Sequence, residues 1–185
     1  RQSAPNASLT DLAWAAAERG DHFAAIPMFR RAHRASSGAA EPLHGLGQSL
    51  MAVGQYADAV QVFQMAIDND AAHGPSQQAL GQALLVMGDY EGAVQAMDMA
   101  VQAMGGRAST VAALGVALDA NGQHDAALTN LRRAHSMEPG NLNVVSNLGL
   151  SLALHGESKE AIELLEDAVR DGRSTAKHRQ NLSLA

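Results

Sequence analysis

The chain has 185 residues, 46% of them hydrophobic but only 3% aromatic, with 13 basic and 19 acidic side chains and no cysteine. This is enough apolar material for a core and too much for a disordered chain, and the formal charge of −6 argues against a domain that grips a nucleic-acid backbone. Without cysteine there is no disulfide, no thiolate metal site and no cysteine nucleophile, and no apolar run reaches the roughly 18 residues that span a bilayer.

Residues 1–7, RQSAPNA, are polar and contain Pro5; they form a lead-in. Helical periodicity starts at Ser8 or Leu9, with the Ser8 hydroxyl placed to cap the first helix. From there the chain repeats itself. Leu-Gly pairs stand at Leu46-Gly47, Leu80-Gly81, Leu114-Gly115 and Leu148-Gly149, each 34 residues after the last. Gly20, Gly54, Gly88, Gly122 and Gly156 recur at the same step, as do Ala25, Ala59, Ala93, Ala127 and Ala161, and again Ala32, Ala66, Ala100, Ala134 and Ala168. Even the string RRAH of Arg30–His33 returns at Arg132–His135, three periods on. A fixed period without gaps makes the repeat, rather than the whole chain, the folding unit.

Each unit consists of two short helices broken by a glycine. In the second unit Leu43, Leu46, Gly47 and Leu50 stripe the first helix, and Ala59, Phe63 and Ala66 stripe the second. A glycine inside a helix costs about 1 kcal/mol relative to alanine. Glycines held at one register therefore predict a neighbouring helix packed too close to leave room for a side chain.

These series resemble the tetratricopeptide repeat, a helix-turn-helix unit of 34 residues. The resemblance covers nearly the whole chain, with repeats at 6–39, 40–73, 74–107, 108–141 and 142–175 and a partial sixth at 176–185. It implies an all-α fold, a right-handed superhelical solenoid of antiparallel helix pairs, forming one array over residues 8–185. The large aromatic that the family places at repeat position 4 is replaced by Leu9, Leu43, Gln77, Val111 and Val145. Gln77 is the weakest substitute, and the third repeat is expected to pack its first helix least well. Of the family's prolines between repeats only Pro139 is present. Lys177, His178, Arg179 and Gln180 would supply the polar face of a capping helix, unless the natural chain continues into a further repeat.

No catalytic constellation stands out: G-x-S-x-G, H-E-x-x-H and the P-loop are absent. Gly45-Leu46-Gly47 lies inside a helix and follows no strand, so it is not a dinucleotide turn. The eight histidines include no i, i+4 pair that would place two ligands on one helix face. The expectation is therefore a non-catalytic protein with no metal and no cofactor. His22, His33, His124 and His135 are expected to be solvated or hydrogen-bonded residues of the repeat register. Glu160, Glu163, Glu166 and Asp167 form a solvated acidic face.

In the family the first helices line a concave face, chiefly at repeat positions 2, 5, 9, 12 and 13. Carried over residue by residue, the resemblance implies a peptide-binding groove of His44, Gln48, Met51, Gln78, Gln82, Leu85, Val116, Asp119, Ser146, Asn147 and Leu150. Its second and third repeats offer His44 and the amides Gln48, Gln78 and Gln82. Its fourth and fifth offer Val116, Leu150 and Leu154, open to a partner or covered by a C-terminal helix of the same chain. Positions 5 and 9 carry no lysine, so the family's clamp for a C-terminal carboxylate is not expected. Trp14, the single tryptophan, is either a groove anchor or a staple of the first repeat.

A narrower resemblance rests on ALGVALDANGQHDAAL at 113–128, NLGLSLALHG at 147–156, EAIELLEDAV at 160–169 and HRQNLSLA at 178–185. These runs are similar to TadD-like components of the Flp, or tight-adherence, pilus machinery. That implies a scaffold on the periplasmic side of the bacterial outer membrane, acting as a lipoprotein pilotin on a secretin subunit, with a lipid anchor upstream of the chain. Two other readings stand beside it: the recognition arm of a larger enzyme, and a cytosolic adaptor. No nucleic-acid partner is expected.

Overall fold

The structure, a computed structural model, describes residues 8–170, with side chains through Ala168. The lead-in at 1–7 and the expected capping residues Lys177–Gln180 lie outside the described residues. Within them are ten α-helices and no strand, as the all-α expectation requires. They are α1 (Leu9–Glu18), α2 (His22–Ala35), α3 (Ala40–Ala52), α4 (Tyr56–Asn69), α5 (Gly74–Met87), α6 (Tyr90–Ala103), α7 (Ala108–Ala120), α8 (His124–Met137), α9 (Leu142–Leu154) and α10 (Ser158–Arg170). Among the described residues, no helix is long and apolar enough to cross a membrane.

Local chemistry sets where the helices begin and end. Ser8 caps α1 as expected: its hydroxyl accepts the Asp11 N–H at 3.1 Å, and the Asp11 carboxylate accepts the Ser8 N–H at 2.9 Å. The glycine between paired helices sits at φ between 77° and 84° in all five repeats. At Gly122, for example, φ is 77°, a left-handed geometry that ends α7 and turns the chain into α8.

The glycines inside the first helices are explained by what faces them. A side chain on Gly47 would run into the ring of Phe63 on α4, and one on Gly45 into the ring of Phe29 on α2. The middle of α3 is thus wedged between two fully buried phenylalanines. In α7 and α9 the same close approach recurs with leucine: a Cβ on Gly115 would lie 2.7 Å from Leu131 Cγ, and one on Gly149 2.7 Å from Leu165 Cγ. The knob is the same repeat position throughout, Phe29, Phe63, Leu131 and Leu165, each 0% exposed.

By contact the chain falls into two compact units, the first ending at Asp89 and the second beginning at Tyr90. The division runs between the two helices of the third repeat; nothing in the unbroken 34-residue register announces it. Unit 1 holds α1–α5, with Phe29, Leu43, Leu50 and Phe63 at its core. Unit 2 holds α6–α10, cored by Val111, Leu131, Val144, Leu148 and Leu152, with Leu165 packed on Val145 at its end.

Gln77 stands where a large apolar residue belongs, and it is buried. Its amide donates to the Ala71 carbonyl at 2.6 Å, while its Oε1 has no partner. A buried acceptor left unpaired costs about 1–3 kcal/mol. The defect at this position is therefore an unpaired oxygen rather than an exposed helix face.

Candidate functional site

The candidate lining residues divide between two clefts, one on each unit. In unit 1 Gln48 and Met51 from α3 meet Gln82 from α5 across a cleft of about 340 Å³, floored by Phe63 and Ala79. In unit 2 Val116 and Asp119 from α7 meet Asn147 and Leu150 from α9 across a cleft of about 310 Å³. Leu154, 68% exposed, extends its apolar wall. Seven of the eleven candidates line one cleft or the other, because repeat positions 6, 9 and 12 lie about one turn apart on the same helix face. Gln78 and Leu85 are half-buried on α5 and do not line the unit 1 cleft. His44 and Ser146, at repeat position 5, are enclosed at 7% and 0% exposure. They lie beneath the surface and not on it, because position 5 sits next to the packed stripe at position 4.

His44 is the centre of a polar network inside unit 1. The Gln48 amide donates to its Nε2 at 3.0 Å, which leaves the proton on Nδ1, 3.3 Å from the Ser76 hydroxyl. Ser76 in turn contacts His73 Nδ1 at 2.8 Å, and His73 Nε2 lies 3.6 Å from Glu41. Trp14 donates from its indole to Glu41 at 3.0 Å and packs edge-on against Phe29 at 5.0 Å. Trp14 is therefore a staple of the first repeats. Burial, reinforced by the neighbouring His73, pushes the His44 pKa down to about 4. The geometry gives the reason: both nitrogens are already matched in the neutral form, and a second N–H would point at the Gln48 amide.

Unit 2 carries its polar cluster at the rim of the cleft. Asp119, near the end of α7, receives His124 Nδ1 from the start of α8 and His155 Nε2 from the end of α9. Both nitrogens stand 2.6 Å from the same oxygen, Oδ1. Ser151 donates to the other oxygen, Oδ2, at 2.7 Å. The two imidazole rings lie 3.9 Å apart. Burial alone would push the Asp119 pKa up, but the hydrogen bonds from His124, Ser151 and His155 outweigh it and hold the carboxyl below the usual carboxylate range. Asp119, expected to meet a partner, has both oxygens engaged from within the chain.

This cluster was not visible as an i, i+4 pair, because its members come from three helices. The signal that marks it is a departure from the internal repeat. Two periods upstream the same register holds Met51, Tyr56 and Met87, and three periods upstream it holds Ala17, His22 and Val53. Outside this cluster the described histidines divide. His44 and His73 are hydrogen-bonded, whereas the Nδ1 atoms of His22, His33 and His135 are buried without a partner, against the expectation for those three.

Comparison with known proteins agrees with the helix pairs. The family model described as tetratricopeptide repeat matches residues 16–80, 50–118 and 118–182. Among solved structures, the chain is similar to MamA, residue 41 to the end, from Desulfovibrio magneticus RS-1. The TM-score is 0.79 at 23% identity, covering 91% of this chain and 95% of that one. It is similar to TTC0263, a thermophilic TPR protein of Thermus thermophilus, with a TM-score of 0.78 at 18% identity, covering 95% and 96%. It is also similar to YrrB, a TPR protein with an unusual peptide-binding site, with a TM-score of 0.71 at 20% identity, covering 93% and 89%. No curated protein matches the chain. Identities this low carry the fold and nothing finer, whereas the family model spans nearly the whole sequence. The chain belongs to the tetratricopeptide repeat family and has the build of a protein–protein interaction scaffold.

Proposed function

We propose that the protein is a non-catalytic scaffold that holds a peptide segment of another protein in its clefts. The observation that carries this reading is the convergence of side chains from separate helices on open, partly apolar surface. In unit 1, Gln48 and Gln82 flank Met51, so the Gln82 amide and the Gln48 carbonyl, whose amide nitrogen serves His44, face a peptide backbone beside an apolar contact. In unit 2, Val116, Leu150 and Leu154 offer a wall for apolar side chains, with Asn147 beside them. YrrB, similar in fold, is a tetratricopeptide protein with a peptide-binding site, which supports the same use of the surface here.

The finer reading makes the partner a secretin subunit. The chain is then a pilotin-type lipoprotein of Flp pilus assembly, at the periplasmic side of the outer membrane with a lipid anchor upstream. Its support is the sequence runs at 113–128 and 147–169. A general adaptor, cytosolic or attached to a larger enzyme, is equally consistent with the clefts.

Titration calorimetry with peptides selected from a random display library tests the scaffold, and overlapping synthetic secretin peptides test the finer reading. Gln82→Glu, alone and combined with Gln48→Glu, should weaken the selected peptides about 10-fold or more while leaving helicity intact, since each variant puts a charge beside a desolvated contact. Unchanged affinity in both variants removes the cleft assignment. Failure of every secretin peptide, with selected peptides still binding, leaves the scaffold and removes the pilus role.

A further inference from the structure

We propose that Asp119, His124 and His155 form a binding site for a divalent transition metal ion of the zinc class. The site does not depend on what the neighbouring cleft binds. One carboxylate oxygen and two imidazole nitrogens are gathered so that all three ligand atoms lie within 4.8 Å of one another. Zinc takes nitrogen and oxygen ligands at about 2.0–2.2 Å, which spaces neighbouring ligand atoms about 3.3 Å apart in a tetrahedron. Each imidazole nitrogen now stands 2.6 Å from Oδ1, so a shift of under about 1 Å at each ring admits the ion. Such a shift is open to His124, whose side chain is 49% exposed at the first turn of α8.

The surroundings are those of a metal site. The Ser151 hydroxyl holds Oδ2 and so turns Oδ1 toward the two rings, the outer contact that orients a ligating carboxylate. The three ligands differ in depth: Asp119 and His155 are 16% and 21% exposed, and His124 closes the site from the solvent side. Three protein ligands leave a fourth position, which opens on the cleft lined by Val116 and Leu150 and suits water or a ligating side chain of a bound peptide. Two imidazoles and one carboxylate select zinc, cobalt, nickel or copper over calcium and magnesium, which require oxygen. The internal repeat supplies the control. At this register the other units carry residues that cannot assemble such a set, Met51, Tyr56 and Met87 among them. The packing of a helix pair therefore does not itself require these three side chains.

The test is a calorimetric titration of the untagged, metal-stripped chain with zinc chloride, paired with cobalt(II) absorption, whose visible bands distinguish four from six ligands. One equivalent should bind per chain at micromolar metal, with a four-coordinate cobalt spectrum. His155→Gln should lose saturable binding, and so should His124→Gln, which replaces a half-exposed side chain that touches the end of α9 through the His155 ring and none of the buried core. Ser151→Ala should weaken binding about 10–100-fold, as loss of an orienting contact does. The triple change of His22, His33 and His135 to Gln should bind as the parent does. Absence of saturable binding overturns the site, as does undiminished binding in the folded His124→Gln protein or loss of binding in the triple variant.

Discussion

At six matched repeat positions the two units place polar and apolar side chains in opposite ways. Unit 1 buries His44, Ser76 and Gln77 and presents Met51, Tyr56 and Met87 toward its surface. At the same repeat positions unit 2 buries Ala112, Val144 and Val145 and presents Asp119, His124 and His155. Both are built on the same glycine-and-knob contact, so neither arrangement is needed for the helix pair to form. What the repeat requires is small residues at the close approaches. At these positions polarity is free to lie in the core, as in unit 1, or toward the surface, as in unit 2.

Acid should separate the units most strongly. Unfolded, His44 takes up a proton near its ordinary value of about 6.5; folded, it does so only at about 4. Between those values the unfolded chain binds more protons, so stability rises with pH and is lost on acidification. The loss across this window is on the order of 2–3 kcal/mol. His73 and Glu41, which face His44, act in opposite directions: His73 lowers the pKa further and Glu41 partly restores it. The Asp119 pKa is lowered too, but from the ordinary carboxylate range, so its contribution is complete above that range and is lost only as pH falls toward the folded value below it. Trp14 lies 6.1 Å from the His44 ring and reports on unit 1 alone. Its emission should shift between pH 6.5 and 4 before half of the far-UV helix signal is gone. His44→Gln should flatten that early phase. Coincident transitions in the parent chain would remove the contrast.

Replacing Gln77 by the residue that unit 2 uses, Val145, sharpens the same point on a smaller scale. Gln77→Val deletes a buried oxygen without a partner and gives up one bond to the carbonyl of Ala71, an exposed residue that water can serve. The variant should be more stable by about 1 kcal/mol, the difference between an unpaired buried acceptor and a lost neutral hydrogen bond. A drop in the urea midpoint would mean that Gln77 Oε1 is satisfied in solution and that unit 1 tolerates its polar core at no cost.

How much of this was legible in the sequence follows from range. The helix pairs, their turns and the glycine wedge were, because each depends on residues at one fixed spacing: Gly47 and Phe63 announce their contact by recurring as Gly115 and Leu131. Ser8 was legible as a cap for the same reason, since its partner Asp11 is three residues away. The burial of His44 and Ser146 was not, because position 5 borders the packed stripe and only the tilt of each helix decides which side it falls on. Asp119, His124 and His155 were hidden from a search along single helices, yet each departs from its own register. In an array of near-copies, side chains that break the pattern are the ones the shared fold does not explain.

The smallest effect concerns how unit 2 ties its repeats together. One guanidinium nitrogen of Arg132 on α8 reaches Glu157 at 2.7 Å and Glu160 at 2.9 Å, at the head of α10. The hydrogen bond that Arg132 donates to Glu160, with help from the one to Glu157, pushes its pKa further up. In unit 1 the same positions hold Arg30, Gln55 and Asp58, one carboxylate in place of two. All three partners in unit 2 are 42–50% exposed, so water competes for each and salt screens the rest. Arg132→Ala should therefore lower stability by no more than about 1 kcal/mol, and by nothing measurable in 1 M salt, where the screening length falls to about 3 Å. Arg30→Ala should be close to neutral at any ionic strength. If the Arg132 variant lost more than this, or lost it equally in high salt, the contribution would come from the packed stem of the side chain and not from its charge, and the surface of unit 2 would belong with its core.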